Sequence, residues 1–394
     1  MFSKRKTWDF RQSRLFELIQ QKRDRGEHII DLTESNPTRC GFSYNSRGIL
    51  EALSNEGSLR YVPHPKGLLA ARKAVAEFYH RQGVDVEPDY IILTASTSEA
   101  YSHLFRLLCN EREAVLLPKP GYPLFDELCQ INDVSHRVYQ LAYDGEWHID
   151  LSAVEASLSA DVRAMVLVHP NNPTGSFVKV KERDVLCRLA RAHGAGLIVD
   201  EVFEPFGFGA DGSQAPSFAG NQTALTFTLN GLSKLLGLPQ MKLAWIVVSG
   251  PSAERREALQ RLEIIGDLYL SVGTPVQEAL PALLRDSPSM TQQIRNRVRE
   301  NYVLAKKEIP ANSTMSVLHC EGGWNAVLRL PSTRSDEDWA LELLRNQNVL
   351  IHPGHLFHFE QRSCIVLSLL PPAEVFQEGF RRIVSKADLN EAAG

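Results

Sequence analysis

Between Tyr90 and Ser249 six short runs are apolar almost from end to end: Tyr90 to Thr94, Ala114 to Leu117, Met165 to Val168, Gly196 to Val199, Thr223 to Leu229 and Leu243 to Val248. A strand with one wet face alternates apolar and polar residues, whereas a strand covered on both faces is apolar throughout. Helical patterns such as Ser98 to Cys109 and Lys181 to His193 fill the gaps between runs. The region therefore reads as an α/β unit with a mostly parallel sheet sandwiched by helices. After Gly250 the pattern changes to long charged helices, Ala253 to Ile265 and Met290 to Lys307. Shorter strands within Met315 to Leu330 and Val349 to Leu370 then surround a helix at Glu337 to Asn346, a smaller α+β layout.

At 394 residues the chain exceeds a single small core, and two domains are the default. With 43 basic and 47 acidic residues its net charge is −4, which offers no footprint for nucleic acid or an anionic membrane. The expected partner is a small molecule. Cys40, Cys109, Cys129, Cys187, Cys320 and Cys364 are scattered without a CxxC pair, so neither a zinc site nor a disulfide framework is expected. They read as the reduced cysteines of a cytoplasmic protein. The basic start, Met1 to Lys6, runs into Trp8-Asp9-Phe10 where a secretory signal would have its apolar core. No apolar stretch approaches the roughly 20 residues that span a bilayer.

In sheets of this kind ligands bind at the carboxyl ends of strands. Three chemical groups fall there in order: Asn172 after the run ending at Val168, Asp200 closing the run Gly196 to Val199, and Lys234 beyond the run ending at Leu229. A lysine amine can form an imine. A carboxylate can keep a pyridine nitrogen protonated, and an amide can hydrogen-bond a ring oxygen. A pyridoxal 5'-phosphate (PLP) site needs that set.

The combination of Asn171-Asn172-Pro173-Thr174-Gly175, Asp200 to Phe203 and Ser233-Lys234 with a basic residue eight positions later resembles the fold-type I, class I/II PLP-dependent aminotransferases. The resemblance covers nearly the whole chain. It implies exchange of an amino group between an amino acid and a 2-oxo acid, and a homodimer with active sites at the subunit interface. It also implies an N-terminal segment, 1–49, joining a small C-terminal domain, 291–394, with a large PLP-binding domain, 50–290, between them. Lys234 then resembles the lysine of the internal aldimine and the proton shuttle, and Asp200 the partner of the pyridinium nitrogen. Asn172 resembles the donor to the ring oxygen, and Tyr122 the aromatic stacked on the ring. Ser96, Thr97 and Ser98, between a strand and a helix, resemble the phosphate turn, a position where helix N–H groups favour an anion. Ser233 and Lys242 are further candidate phosphate contacts, and Tyr61 resembles the tyrosine that reaches the neighbouring subunit's phosphate. Asn36, Arg39 and Asn172 are the candidate substrate contacts.

Four positions depart from the family pattern. Lys242 stands where an arginine usually binds phosphate, and it cannot form a bidentate fork. Gly231 replaces a common phosphate-binding serine, and Phe203 replaces a tyrosine whose hydroxyl would reach the ring oxygen. Val366, in Cys364-Ile365-Val366-Leu367-Ser368, occupies the place of the arginine that binds the substrate α-carboxylate. Arg39 and Arg362 are the candidate replacements. The vacancy keeps a lyase or decarboxylase of the same fold as the alternative, together with an aminotransferase whose substrate lacks a standard α-carboxylate; a PLP-binding regulator is disfavoured by the complete lysine, aspartate and asparagine set.

Three further signals carry less. Gly207 to Gly212 is a literal GxGxxG, but no helix pattern follows it and Pro216 intervenes. His352, His355 and His358 suggest metal by spacing, but Pro353-Gly354 breaks any helix that would align them, so no metal site is expected. Trp324, after Gly322-Gly323, reads as core near the substrate region.

Overall fold

A computed structural model describes Phe2 and residues 13–209, 212–360 and 363–391. The basic N-terminal stretch, part of the GxGxxG segment and Arg362 lie outside the described residues. The strands, in chain order, are β1 Ile30–Asp31, β2 Ile91–Thr94, β3 Ala114–Lys119, β4 Ser135–Tyr143, β5 Trp147–Ile149, β6 Val162–Val168 and β7 Gly196–Asp200. They continue with β8 Thr226–Gly231, β9 Ala244–Ser249, β10 Ser316–Val317, β11 Asn325–Arg329, β12 Val349–Leu350, β13 His352–Pro353 and β14 Cys364–Ser368.

Eight of these form one sheet in the order β2-β9-β8-β7-β6-β3-β4-β5. The inner pairings β3·β4, β3·β6, β6·β7 and β7·β8 are parallel, while β9 and the two outer strands β2 and β5 pair antiparallel. The apolar runs are covered on both faces. Along β6, Met165 and Leu167 join one apolar layer with Leu197 and Val199, whereas Ala164, Val166 and Val168 join the opposite layer with Ile198, Phe227 and Leu229. All six apolar runs became strands, within a few residues of their expected ends.

Strands β4 and β5 carried no comparable signal. On β4, Ser135 and Arg137 are wet while Tyr139 and Leu141 are buried, so near the sheet margin apolar side chains are needed only at intervals. The expected helices also formed, at Thr97–Leu108, Val180–His193, Ser252–Tyr269, Ser287–Glu308 and Asp336–Gln347. Local chemistry explains their ends. Ser335 Oγ accepts from the Asp338 amide at the start of the last of these, and Gly194, at φ +64°, closes Val180–His193 in the left-handed conformation that favours glycine.

A second sheet has the antiparallel order β10-β11-β14-β13, and β1 pairs in parallel with β12. The 22-residue helix Ser287–Glu308 bridges the two regions. Its Asn301 donates to the carbonyls of Leu369 and Pro371, both at 2.9 Å, fixing the chain beyond β14. Between the sheets, Glu321 is buried and accepts from the Phe177 amide at 3.0 Å, while Lys179 Nζ pairs with its other oxygen. A backbone bridge between Gly207 and Gly322 lies beside that ion pair. The two sheet regions are thus joined through Glu321 and Gly322.

Candidate active site

The register places the chemistry. Val168, Asp200 and Leu229 are Cα partners across β6, β7 and β8. Asn172 follows four residues after the first, and Lys234 sits in the single helical turn Leu232–Leu235 after the last. Parallel strands end together, so the residues just past their ends share one crevice.

Lys234 is enclosed by rings, its Nζ lying 4.9 Å from the Trp324 ring centroid and 5.8 Å from that of Phe203. Among the described residues no carboxylate lies within ion-pair distance of it. Burial pushes its pKa below that of an ordinary lysine, and the Asp200 charge only partly offsets this. A lowered pKa raises the fraction of neutral amine, the form that attacks a carbonyl carbon.

Asp200 is buried at the end of β7. Its Oδ1 accepts from the Val202 amide and its Oδ2 from the Tyr101 hydroxyl, each over 3.1 Å. Desolvation nevertheless raises the carboxyl to about 6, against the lowering effect of these two donors and of Lys234. A buried carboxylate held by neutral donors is suited to a cationic group brought against it. Tyr101 carried no sequence signal beyond a phenol on an apolar helix face. Its ring packs edge-on against Phe125 at 5.3 Å, and Phe125 meets Tyr122 at 5.5 Å, so Tyr101 and Tyr122 share the Phe125 ring between them.

Ser96 is the N-cap of Thr97–Leu108, its Oγ accepting from the Glu99 amide at 3.1 Å while Glu99 Oε2 accepts from the Ala95 amide at 2.7 Å. This capping leaves the Thr97 and Ser98 amides at the open helix end, a cradle for an anion. Gly231 has a steric reason to lack a side chain: a Cβ there would lie 2.8 Å from both Cα and Cβ of Ala244. Lys242 is exposed and at φ +52°. Tyr61 is 74% exposed, beside the exposed Leu59 and Val62.

Asn172 Oδ1 accepts from Asn325 Nδ2 at 2.8 Å. Asn36 caps its own turn through Thr38, and Arg39 faces solvent, its Nε 3.3 Å from Glu34 Oε2. The Asn36 segment is nevertheless tied to β14: the Ser368 amide donates to the Leu32 carbonyl and Ser368 Oγ to the Glu34 carbonyl, both at 2.7 Å. Two residues away Val366 is fully buried, opposite Val327 and His352. Trp324 is buried against Phe203 and Phe206 with no hydrogen-bond partner for its Nε1 among the described residues. The three histidines diverge: His355 meets Asp336, His358 meets Asp126 and the His352 ring packs on Phe357.

The chain matches the profile of aminotransferase class I and II over residues 27–383, and it belongs to that family. It is 24% identical over 371 residues to glutamate-pyruvate aminotransferase AlaA of Haemophilus influenzae, with 91% of each chain covered. It is 28% identical over 341 residues to nicotianamine aminotransferase A of Hordeum vulgare, covering 82% of this chain and 72% of that one. A 28% match over 304 residues, 73% of this chain and 64% of the relative, is to S-alkyl-thiohydroximate lyase SUR1 of Arabidopsis thaliana. The alanine aminotransferase of Pyrococcus furiosus has the same fold, with a TM-score of 0.86 over 96% of this chain and all of that one at 21% identity. The protein is an aminotransferase whose family uses pyridoxal phosphate. No helix among the described residues is long and apolar enough to cross a membrane.

Proposed function

We propose that Lys234, Asp200 and Asn172 hold PLP and that the enzyme moves an amino group between a small amino acid and a 2-oxo acid. The observation that carries this reading is the half-buried Lys234 amine, flanked by the Trp324 and Phe203 rings and free of an ion-pair partner among the described residues, beside a buried carboxyl that lacks a cation. That donor set fits PLP. The bound cofactor supplies a protonated pyridine ring that takes up the electron pair released when the substrate Cα–H bond breaks. Asp200 holds the proton on the ring nitrogen. Asn172 donates to the ring oxygen, and Tyr122 covers a ring face. The Lys234 amine would hold the cofactor through its aldehyde carbon and, once free, would serve as the base that moves the proton at the substrate Cα. The Ser96, Thr97 and Ser98 turn takes the phosphate, with Ser233 and Lys242 as further contacts.

The exposed Leu59, Tyr61 and Val62, with Leu268 and Leu270 from the end of Ser252–Tyr269, form an apolar surface suited to a second copy of the chain. In that homodimer Tyr61 reaches the partner's phosphate. Residues 1–49, 50–290 and 291–394 serve as arm, large domain and small domain, and the site of action is the cytoplasm. Arg39, freed from Glu34, takes the substrate carboxylate that Val366 cannot bind, with Asn36 and Asn172 beside it.

The lyase relative and the apolar Val366 together favour a second reading, elimination from an amino acid bearing a sulfur leaving group. Half-reactions separate the two. PLP-loaded protein mixed with L-glutamate or L-alanine should convert to the pyridoxamine form and release the 2-oxo acid. Release of ammonia and thiol from a cysteine S-conjugate, without that conversion by any amino acid, would replace transamination with elimination.

A further inference from the structure

The carboxamide of Asn172 has an acceptor end and a donor end, and only the donor end can serve an anionic ring oxygen. In the structure the acceptor end is already taken, since Asn325 Nδ2 donates to Asn172 Oδ1 at 2.8 Å. Asn325 comes from the other sheet. It opens β11, where its Cα pairs with that of Ser368, and Cys320 Sγ contacts its carbonyl oxygen at 3.6 Å. Its place is set by the β11·β14 ladder, and the chain just before it is tied to the Asn172 loop, where the Glu321 amide donates to the Gly175 carbonyl at 3.1 Å. We propose that Asn325 is a positioning residue that holds the Asn172 amide with its NH2 toward the cofactor ring oxygen. The inference rests on the proposed role of Asn172.

The two hydrogen bonds would run in the same sense, from Asn325 to Asn172 and from Asn172 to the ring oxygen. Donors aligned head to tail polarise one another, so the first bond strengthens the second. A stronger donor competes for the ring oxygen with the proton that oxygen shares with the Lys234 nitrogen, and so lowers the pH at which that proton leaves. The bond also spans the cleft between the sheets. The same interaction thereby couples the electronic state of the site to the position of β11.

The test reads the visible absorption of the PLP-loaded protein against pH, together with the affinity of the cofactor-free protein for PLP. Asn172→Ala alone should raise the midpoint by about one pH unit, as loss of one hydrogen bond to a charged group does. Asn325→Leu, nearly isosteric and uncharged, should raise it part of the way. Asn325→Asp can only accept, so it should turn the amide round, raise the midpoint at least as far as Asn172→Ala does, and weaken PLP binding several-fold. In an Asn172→Ala background neither Asn325 substitution should move the midpoint further. Full, additive shifts in that background would reduce Asn325 to a charge or packing effect and overturn the proposal. A midpoint unchanged in both Asn325 variants would overturn it as well, provided Asn172→Ala still moves. No shift in Asn172→Ala itself would instead remove the role proposed for Asn172, a separable failure.

Discussion

The Tyr101 hydroxyl donates to Oδ2 of Asp200 over 3.1 Å, across 99 residues of sequence, and both groups are buried. The phenol stabilises the charged carboxylate without supplying charge of its own. Tyr101→Phe should therefore raise the Asp200 pKa in the cofactor-free protein from about 6 by up to about one unit, the equivalent of one neutral hydrogen bond. Carboxyl-carbon NMR of selectively labelled aspartate would follow it, and a midpoint at or below the parent value would deny Tyr101 this role.

Asp200 also predicts an unusual stability profile for the cofactor-free protein. Its folded pKa of about 6 lies above its ordinary value of 3.8, so the native state binds more protons than the unfolded state between those pH values. Stability then falls as pH rises through that window, by about 3 kcal/mol from this group alone. Asp200→Asn should be more stable than the parent by an amount of that order at pH 7 and equal to it below pH 4, by urea unfolding. A difference independent of pH would refute the assignment. PLP should reverse the order, because only the carboxylate compensates a ring cation.

Lys234→Ala removes the nucleophilic amine from a pocket of aromatic rings. Activity should fall by several orders of magnitude while the unfolding transition stays close to the parent, since the lysine makes no ion pair among the described residues. PLP should still bind through its phosphate but give the absorbance of the free aldehyde. Multiple turnover by this variant would remove Lys234 from the chemistry.

Arg39 must leave Glu34 before it can bind a substrate carboxylate, and at 73% side-chain exposure their pairing holds it only weakly. Arg39→Ala should raise KM for amino acids at least tenfold while leaving reaction with amines that lack a carboxylate unchanged. Glu34→Gln should lower KM for amino acids, because the competing partner is gone. Equal losses for both substrate types would mark Arg39 as structural.

Much of this was legible along the chain because it depends on local order. The runs that became β6, β7 and β8 are apolar on both faces, and that pattern requires cover by helices whatever their partners are. The order of Asn172, Asp200 and Lys234 beyond those strands follows from parallel register alone. Strands β4 and β5 were not legible, since a margin strand needs few apolar residues. Nor were the groups that set the site's electronics. Tyr101 reaches Asp200 from a helix 99 residues earlier, Trp324 covers Lys234 from beyond the long bridging helix, and Asn325 meets Asn172 across 153 residues. Hydrogen bonds of about 3 Å depend on how whole elements pack, and no local periodicity encodes such a meeting. The chain by itself thus determined which chemical groups gather at the strand ends. Packing of one sheet against the other decided how those groups are oriented, desolvated and charged.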